Sequence, residues 1–282
     1  MPAFFDGQLT FIHIPKCAGT SVLHALSAYQ LAINPKTHGH PMRYRHHESL
    51  FEIQNWFFNE WDVQRWEKTV LVSIIRNPIY RTISWWKYQK KMITQNLQNF
   101  TTWQNSHHKS RKLIFSPLSL ANLAVSHFTP EDRNRLDKNS AQIWCKHNTK
   151  RYYVNEYIAL SFHDFVSRMT VWKKTGCDTP SCPYHVLSPQ VDWLRDMDGN
   201  IPLNKLNLFL IERLSELNQL LPEMKVIDHM NVTKKNNEDY NEYLTTGSLL
   251  LLKNYYTEDF KLYESLKKKP LYQRKPLYFS TR

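Results

Sequence analysis

The chain of 282 residues lacks any apolar run that approaches the roughly 20 residues of a membrane-spanning helix. Its first residues, 1–7, also lack the basic stretch and the apolar segment of a secretory signal peptide. We therefore expect no stable membrane insertion. We expect a cytoplasmic chain, or else the excised lumenal domain of a longer protein.

Cysteine is scarce, since four residues are too few for a disulfide scaffold in a chain of this size. Cys177 and Cys182 lie near His185, but a zinc site needs a fourth ligand that the sequence does not supply. Signatures of zinc fingers, helix-turn-helix motifs and RNA-binding domains are also missing, so we expect no nucleic-acid partner. We expect no metal site.

Acidic residues are outnumbered, with 25 Asp and Glu against 37 Lys and Arg, for a net charge of +12. This balance favours an anionic ligand, such as a nucleotide or a sulfated or uronic polysaccharide, but it does not choose among them.

Apolar runs that alternate with helical patterns predict a single α/β domain, with a P-loop-like parallel sheet flanked by helices. The predicted strands are residues 8–14, 69–75 and 206–211. The predicted helices include 19–31, 78–93, 161–172, 214–221, 239–254 and 257–266, and residues 94–110 are predicted as a loop. The domain is predicted to cover 1–266, and 267–282 to form a basic, disordered tail.

Two segments combine a strand, a loop and a helix start with residues that bind anions. The first holds Lys16 and Gly19 with two hydroxyl residues, so backbone N–H groups and a full charge converge on a ligand. The second begins at Arg76 and follows another apolar strand. Two such segments on one sheet predict a ligand with phosphates at two ends.

The first loop differs from a Walker loop, which places lysine directly before Ser or Thr and a glycine well upstream. Here Lys16 precedes Gly19, and the upstream glycine is absent. A P-loop nucleotide or sugar kinase is one alternative function, but it would need the Walker lysine and a magnesium carboxylate. A non-catalytic polyanion-binding protein is the second alternative, and the net charge fits it.

The first loop resembles the 5′-phosphosulfate loop of sulfotransferases that use 3′-phosphoadenosine 5′-phosphosulfate, and the second resembles their 3′-phosphate motif. The matching residues are Pro15, Lys16, Gly19, Thr20 and Ser21 in the first, and Arg76, Asn77, Pro78, Arg81 and Ser84 in the second. The resemblance is to the carbohydrate branch, with heparan and chondroitin enzymes and bacterial relatives. Weaker matches follow at Pro189–Gln190, Glu212 and Asn231. Golgi members carry a membrane anchor, so we expect either a bacterial or viral cytosolic relative or a trimmed part of a longer protein.

The resemblance implies an enzyme that moves a sulfuryl group from this co-substrate to a hydroxyl acceptor, a carbohydrate or polysaccharide. It implies that Lys16 stabilises charge on the bridging oxygen, and that Arg76 and Ser84 grip the 3′-phosphate. Arg81 either joins that grip or forms a surface ion pair. The loop residues implied to hold the 5′-phosphate are Lys16, Cys17, Ala18, Gly19, Thr20 and Ser21.

A hydroxyl acceptor needs a base, and residues 37–48 form a loop rich in His and Arg. Its His-Gly-His segment resembles the one that supplies the catalytic histidine in uronyl 2-O-sulfotransferases. We therefore predict His40 as the base, with His38 second and Glu48 third. Arg43 and Arg45 are predicted to bind carboxylate or sulfate groups of the acceptor.

Overall fold

The structure, a computed structural model, describes residues 3–5, 7–26, 48–60, 63–107, 160–174, 185–222 and 240–269. These residues belong to two compact units. The first comprises Met1–Arg81, Ser188–Glu238 and Tyr256–Arg282, and the second comprises Thr82–Leu187 and Asp239–Tyr255. The described helices are, in chain order, α1 Gly19–Ala25, α2 Leu50–Glu60, α3 Val63–Lys68, α4 Pro78–His107, α5 Phe162–Lys174, α6 Gln190–Trp193, α7 Ser215–Leu220, α8 Thr246–Tyr255 and α9 Thr257–Lys268.

A four-stranded sheet forms the centre of the first unit. Its strands lie in the order β1 Ala3–Phe4, β2 Leu9–Ile12, β3 Val70–Ile75 and β4 Leu206–Leu210. β2 pairs with β3 and β3 with β4 in parallel, whereas β1 pairs with β2 in the antiparallel direction. The α/β class with flanking helices is therefore confirmed. The expectation of a parallel sheet is wrong at one edge, because the two-residue edge strand β1 runs antiparallel to β2.

The three parallel strands are apolar because both faces of the sheet are covered. β2 is buried throughout, and β3 and β4 are buried at all but one position each. Polar side chains inside the sheet are hydrogen-bonded, as burial requires. The Thr10 and Thr69 hydroxyls lie 2.9 Å apart, and Ser73 Oγ donates to Ile12 O at 2.8 Å. The second bond ties β3 to β2 shortly before both strands end.

Helices complete the core of the first unit. Phe57 of α2, Trp66 of α3 and Leu217 of α7 belong to the same buried cluster as the strand residues Phe11 and Phe209. α2 begins with a capping box, in which Ser49 N–H donates to Glu52 Oε2 at 2.7 Å and Glu52 N–H donates to Ser49 Oγ. The predicted helices at 214–221 and 257–266 are confirmed as α7 and α9.

The second unit holds most of α4, together with α5 and α8. Ser161 caps the start of α5, since Asp164 N–H donates to Ser161 Oγ at 3.1 Å and the Ser161 hydroxyl donates to Asp164 Oδ2 at 2.6 Å. α4 continues to His107, so the prediction of a loop at 94–110 is wrong for residues 94–107, which are helical. Polar composition suggested a loop, but no Gly or Pro interrupts residues 79–107. The other predicted helix, 239–254, is a 3₁₀ turn at Tyr240–Tyr243 followed by α8.

Within the described ranges, no helix is both long and apolar enough to cross a membrane. α9 ends at Lys268, two residues beyond the predicted domain boundary, and residues 270–282 lie outside the described residues. The boundary at 266 stays a prediction.

Candidate anion-binding site

The two predicted anion-binding segments lie next to each other at one edge of the sheet. β2 and β3 are parallel neighbours, with Ile12 opposite Ser73, so the loops that follow them leave the sheet side by side. Arg76 Nη1 donates to the Lys16 carbonyl oxygen at 3.1 Å. The carboxyl ends of adjacent parallel strands thus bring Lys16 and Arg76 together.

The first loop has a tight backbone. Lys16 and Ala18 adopt positive φ angles of 67° and 60°, a backbone conformation that residues other than glycine rarely adopt. α1 begins at Gly19, and the ring of the buried His13 packs directly against that residue. A Cβ atom on Gly19 would lie 1.8 Å from Cδ2 of His13, so only glycine allows this close approach.

Lys16 carries its charge in partly buried surroundings. Burial, and next the positive charge of Arg76, lower the pKa of Lys16 to about 8. The contribution of Arg76 shows that a second positive charge acts on the Lys16 amine. Because bringing like charges together costs free energy, an anion bound between them would relieve the repulsion.

Of the other residues in the first segment, Cys17 and Ser21 are buried, whereas Thr20 is exposed. Burial raises the pKa of the Cys17 thiol to about 11, so the thiol stays protonated and donates to Gln190 Oε1 at 3.3 Å. Ser21 is buried on α1, and its N–H donates to the carbonyl oxygen of the N-cap residue Ala18 at 3.0 Å. The Thr20 side chain is exposed. Of the two hydroxyl residues, Thr20 is thus the more accessible to a ligand.

The Arg-Asn-Pro segment owes its form to helix capping. Asn77 Oδ1 accepts the N–H groups of Ile79 at 3.0 Å and Tyr80 at 3.4 Å, and Pro78 occupies the first turn of α4. The cap fixes where α4 begins and therefore where Arg76 stands, directly after β3. A guanidinium has five N–H donors, so Arg76 can bond both the Lys16 carbonyl and an anion.

Arg81 has a role that neither sequence interpretation anticipated. Its side chain is fully buried, with Nε donating to Pro15 O at 3.0 Å and Nη1 donating to Ser188 O at 2.9 Å. It is therefore not a surface ion pair, and its bonds go to backbone carbonyls of the surrounding chain. Arg81 connects the first turns of α4 to the Lys16 loop. An arginine on a helix gives no sequence signal of such burial.

Gln190 and Asp259 form a buried pair that lies behind both segments. Gln190 Oε1 accepts Arg76 N–H at 3.0 Å, and Gln190 Nε2 donates to Arg76 O at 2.8 Å. Asp259, at the start of α9, accepts the backbone N–H groups of Gln190 at 2.7 Å and Val191 at 3.0 Å. Sequence reasoning noted Pro189–Gln190 as a weak match but had no signal for Asp259.

Glu212 lies just after β4, as predicted for a residue at a strand end. It is exposed, and its Oε1 accepts a hydrogen bond from the Tyr263 hydroxyl at 3.1 Å. Burial, followed by the charge of Glu212, raises the pKa of Tyr263. The contact joins the end of β4 to α9.

The remaining predicted residues are only partly described. Ser84 lies on α4 three residues after Arg81, is half-buried and belongs to the second unit, so its contact with a 3′-phosphate stays a prediction. Glu48 is half-buried and precedes the cap of α2. The residues that lie outside the described ranges are His38, His40, Arg43, Arg45, Cys177, Cys182 and Asn231.

Within the part of the chain that the structure describes, no group of three or more His, Cys, Asp or Glu residues could hold a metal ion. A scan of protein-family models and searches of curated proteins and of solved structures found no match to this chain.

Proposed function

We propose that this protein is a sulfotransferase, which moves a sulfuryl group from 3′-phosphoadenosine 5′-phosphosulfate to a hydroxyl group of a carbohydrate acceptor. The observation that carries the proposal is the meeting of two cationic segments at one sheet edge, where Arg76 Nη1 bonds Lys16 O at 3.1 Å. A donor with anionic groups at its 5′ and 3′ positions suits two adjacent cationic segments better than a ligand with one anionic end.

In this proposal Lys16 acts on the leaving group. As the bond between sulfur and the bridging oxygen breaks, negative charge builds on that oxygen, which stays with the 5′-phosphate. A protonated amine stabilises this charge, and partial burial strengthens its field. With its pKa lowered to about 8, Lys16 is still mainly protonated near neutral pH. The charge that the reaction needs is thus present in the resting protein.

The acceptor side of the reaction rests on His40, with His38 and Glu48 as alternatives. The base takes the proton of the acceptor hydroxyl, and the hydroxyl oxygen attacks sulfur in line with the bond that breaks. The acceptor oxygen bonds to sulfur as the bond from sulfur to the bridging oxygen breaks. The products are a sulfate ester of the acceptor and adenosine 3′,5′-bisphosphate. The base keeps the proton until it is passed to water.

The proposal is tested by calorimetric titration with adenosine 3′,5′-bisphosphate, AMP and ATP in the presence of EDTA. We expect binding of the bisphosphate to exceed that of AMP and ATP, and to be lost in Arg76→Ala. Arg195→Ala is the matched control, because Arg195 is an exposed arginine that pairs with Asp192 at 3.6 Å on the surface. It removes the same charge and should leave bisphosphate binding unchanged.

Two results would contradict the proposal. ATP binding that appears when the titration is repeated with magnesium in place of EDTA, without preference for the bisphosphate, would favour the kinase. Weak binding of all three nucleotides, lowered equally by Arg76→Ala and Arg195→Ala, would favour a protein that binds polyanions through its net charge of +12.

A further inference from the structure

We propose that Gln190, held by Asp259, is the positioning residue that makes the two anion-binding segments act as one bisphosphate site. This inference rests on the proposed function. It assigns to α6 and α9, which hold neither the Lys16 loop nor Arg76, the task of setting the distance between the 5′ and 3′ subsites.

The side-chain amide of Gln190 contacts both segments at once. Its Oε1 accepts the Cys17 thiol at 3.3 Å, which belongs to the first segment, and the Arg76 N–H at 3.0 Å, which belongs to the second. Its Nε2 donates to Arg76 O at 2.8 Å. One fully buried amide therefore links Cys17 of the Lys16 loop to both backbone groups of Arg76.

Asp259 fixes this amide in one orientation. Asp259 Oδ2 accepts the backbone N–H of Gln190 at 2.7 Å and lies 3.3 Å from Gln190 Nε2, while Oδ1 accepts Val191 N–H at 3.0 Å. If the amide were turned over, Gln190 Oε1 would face the Asp259 carboxylate and Nε2 would face the N–H of Arg76. Each face of the amide thus has one set of partners, which is the condition for a rigid buried network.

The expected consequence is a difference between ligands with two phosphates and ligands with one. A ligand that spans both subsites gains from a fixed spacing, because the second phosphate binds with little further loss of freedom. A ligand with one phosphate uses a single subsite and does not depend on that spacing. A residue that sets the spacing should therefore affect the bisphosphate selectively, whereas a residue that only stabilises the fold should not.

The test compares adenosine 3′,5′-bisphosphate with AMP and adenosine 3′-monophosphate on the full chain. In Gln190→Met, which keeps the side chain long but removes the amide, we expect bisphosphate affinity to fall about 10- to 100-fold. Affinity for each monophosphate should change by less than about threefold. In an Arg76→Ala background, Gln190→Met should lower bisphosphate affinity little further, since two-site binding is already lost.

Gln54 provides the matched control. It is also buried, and its Oε1 accepts a backbone N–H, that of Met197 at 2.8 Å, but it lies on α2. Gln54→Met should destabilise the fold by a similar mechanism and leave the ratio of bisphosphate to monophosphate affinity unchanged. Should Gln190→Met not fold, Asp259→Asn replaces it. In that variant the new amide N–H₂ faces the backbone N–H of either Gln190 or Val191 and loses that hydrogen bond. It should therefore also lower the ratio of bisphosphate to monophosphate affinity.

An unchanged ratio in the folded Gln190 or Asp259 variant would overturn the positioning role. If the unmodified protein itself bound the bisphosphate no better than the monophosphates, the proposed function would fail together with this inference. A protein that prefers the bisphosphate but loses nothing in Gln190→Met would leave the proposed function standing and remove only the inference about Gln190.

Discussion

Lys16 combines two features that each cost stability. Its φ angle of 67° lies in the left-handed region, and its amine is partly buried near a second cation. Residues held in such conformations persist only where the surrounding structure supports them, and they concentrate at functional sites. The bonds that Arg76 and Gln190 make around the loop supply that support here. An anion bound as proposed would offset part of this cost, because it would pair with the Lys16 amine.

The buried charge of Lys16 leads to a stability prediction. A lysine whose pKa falls from 10.5 to about 8 on folding destabilises the folded state wherever both states are protonated. This cost is complete below about pH 8 and disappears as the pH rises to about 10.5, so the free energy of unfolding contributed by Lys16 increases over that window. Lys16→Met removes the cost at every pH.

We therefore expect Lys16→Met to be more stable than the unmodified protein by about 1–3 kcal/mol near pH 7, since one pKa unit corresponds to about 1.4 kcal/mol. The difference should shrink as the pH approaches about 10. Bisphosphate binding should be lost in the same variant. Urea unfolding at both pH values, with calorimetry near pH 7, measures all three effects. A variant that is less stable near neutral pH would show that the Lys16 amine is favourably paired.

At the residue scale, the sequence identified the charged side chains of the candidate site, but it did not identify the buried residues that hydrogen-bond to their segments. Lys16 and Arg76 stand in local motifs, so their positions after apolar strands of one sheet could be predicted, whereas the pairing of those strands could not. The contact between Gln190 and Asp259 joins residues that lie 69 positions apart, and no local pattern reports such a pair. Arg81 shows a related limit, because burial depends on what packs over a helix rather than on the helix sequence.

At the element scale, α4 is the part of the fold that positions the second segment. Asn77 caps it, and Arg81 fastens its first turns to Pro15 O and Ser188 O. The bond to Pro15 lies one residue before Lys16. The start of α4 therefore connects the Lys16 loop to the segment that precedes α6. Disturbing Arg81 should affect the backbone of the loop without removing a ligand contact.

We expect Arg81→Met to lower the free energy of unfolding by about 2–4 kcal/mol, because two buried carbonyl groups lose charged donors. Arg195→Met is the control, since the side chain of Arg195 is 45 % exposed and its pairing with Asp192 contributes little. Chemical unfolding of both variants measures the difference. If both variants lost only a small and equal free energy of unfolding, the buried hydrogen bonds of Arg81 would contribute little to stability.

The strands were predictable at this scale because continuous apolar runs leave few alternatives to a strand buried on both faces. β3 begins within one residue of its predicted start, and β4 ends one residue before its predicted end. β1 was missed, since two residues carry no periodicity. α4 was predicted too short because its later residues are polar, and helix propensity without Gly or Pro outweighed that signal.

At the scale of the whole molecule, the net charge of +12 and the local pair of cations make different predictions about salt. A polyanion that spreads over a basic surface displaces many counterions, so its affinity falls steeply with salt concentration. A bisphosphate bound as proposed, by Lys16 and Arg76, would involve few charges at a partly buried site, where screening is weaker. The two kinds of binding can therefore be separated in one protein by their salt dependence.

We expect affinity for dextran sulfate to fall by about 10- to 1,000-fold between about 50 mM and about 200 mM NaCl, and affinity for adenosine 3′,5′-bisphosphate to fall less than about tenfold. Arg76→Ala should abolish only the second, while Arg195→Ala should change neither by more than the loss of one charge in many. Equal salt slopes for both ligands, with no special effect of Arg76→Ala, would mean that the overall charge binds both. The site at the sheet edge would then have no selectivity of its own.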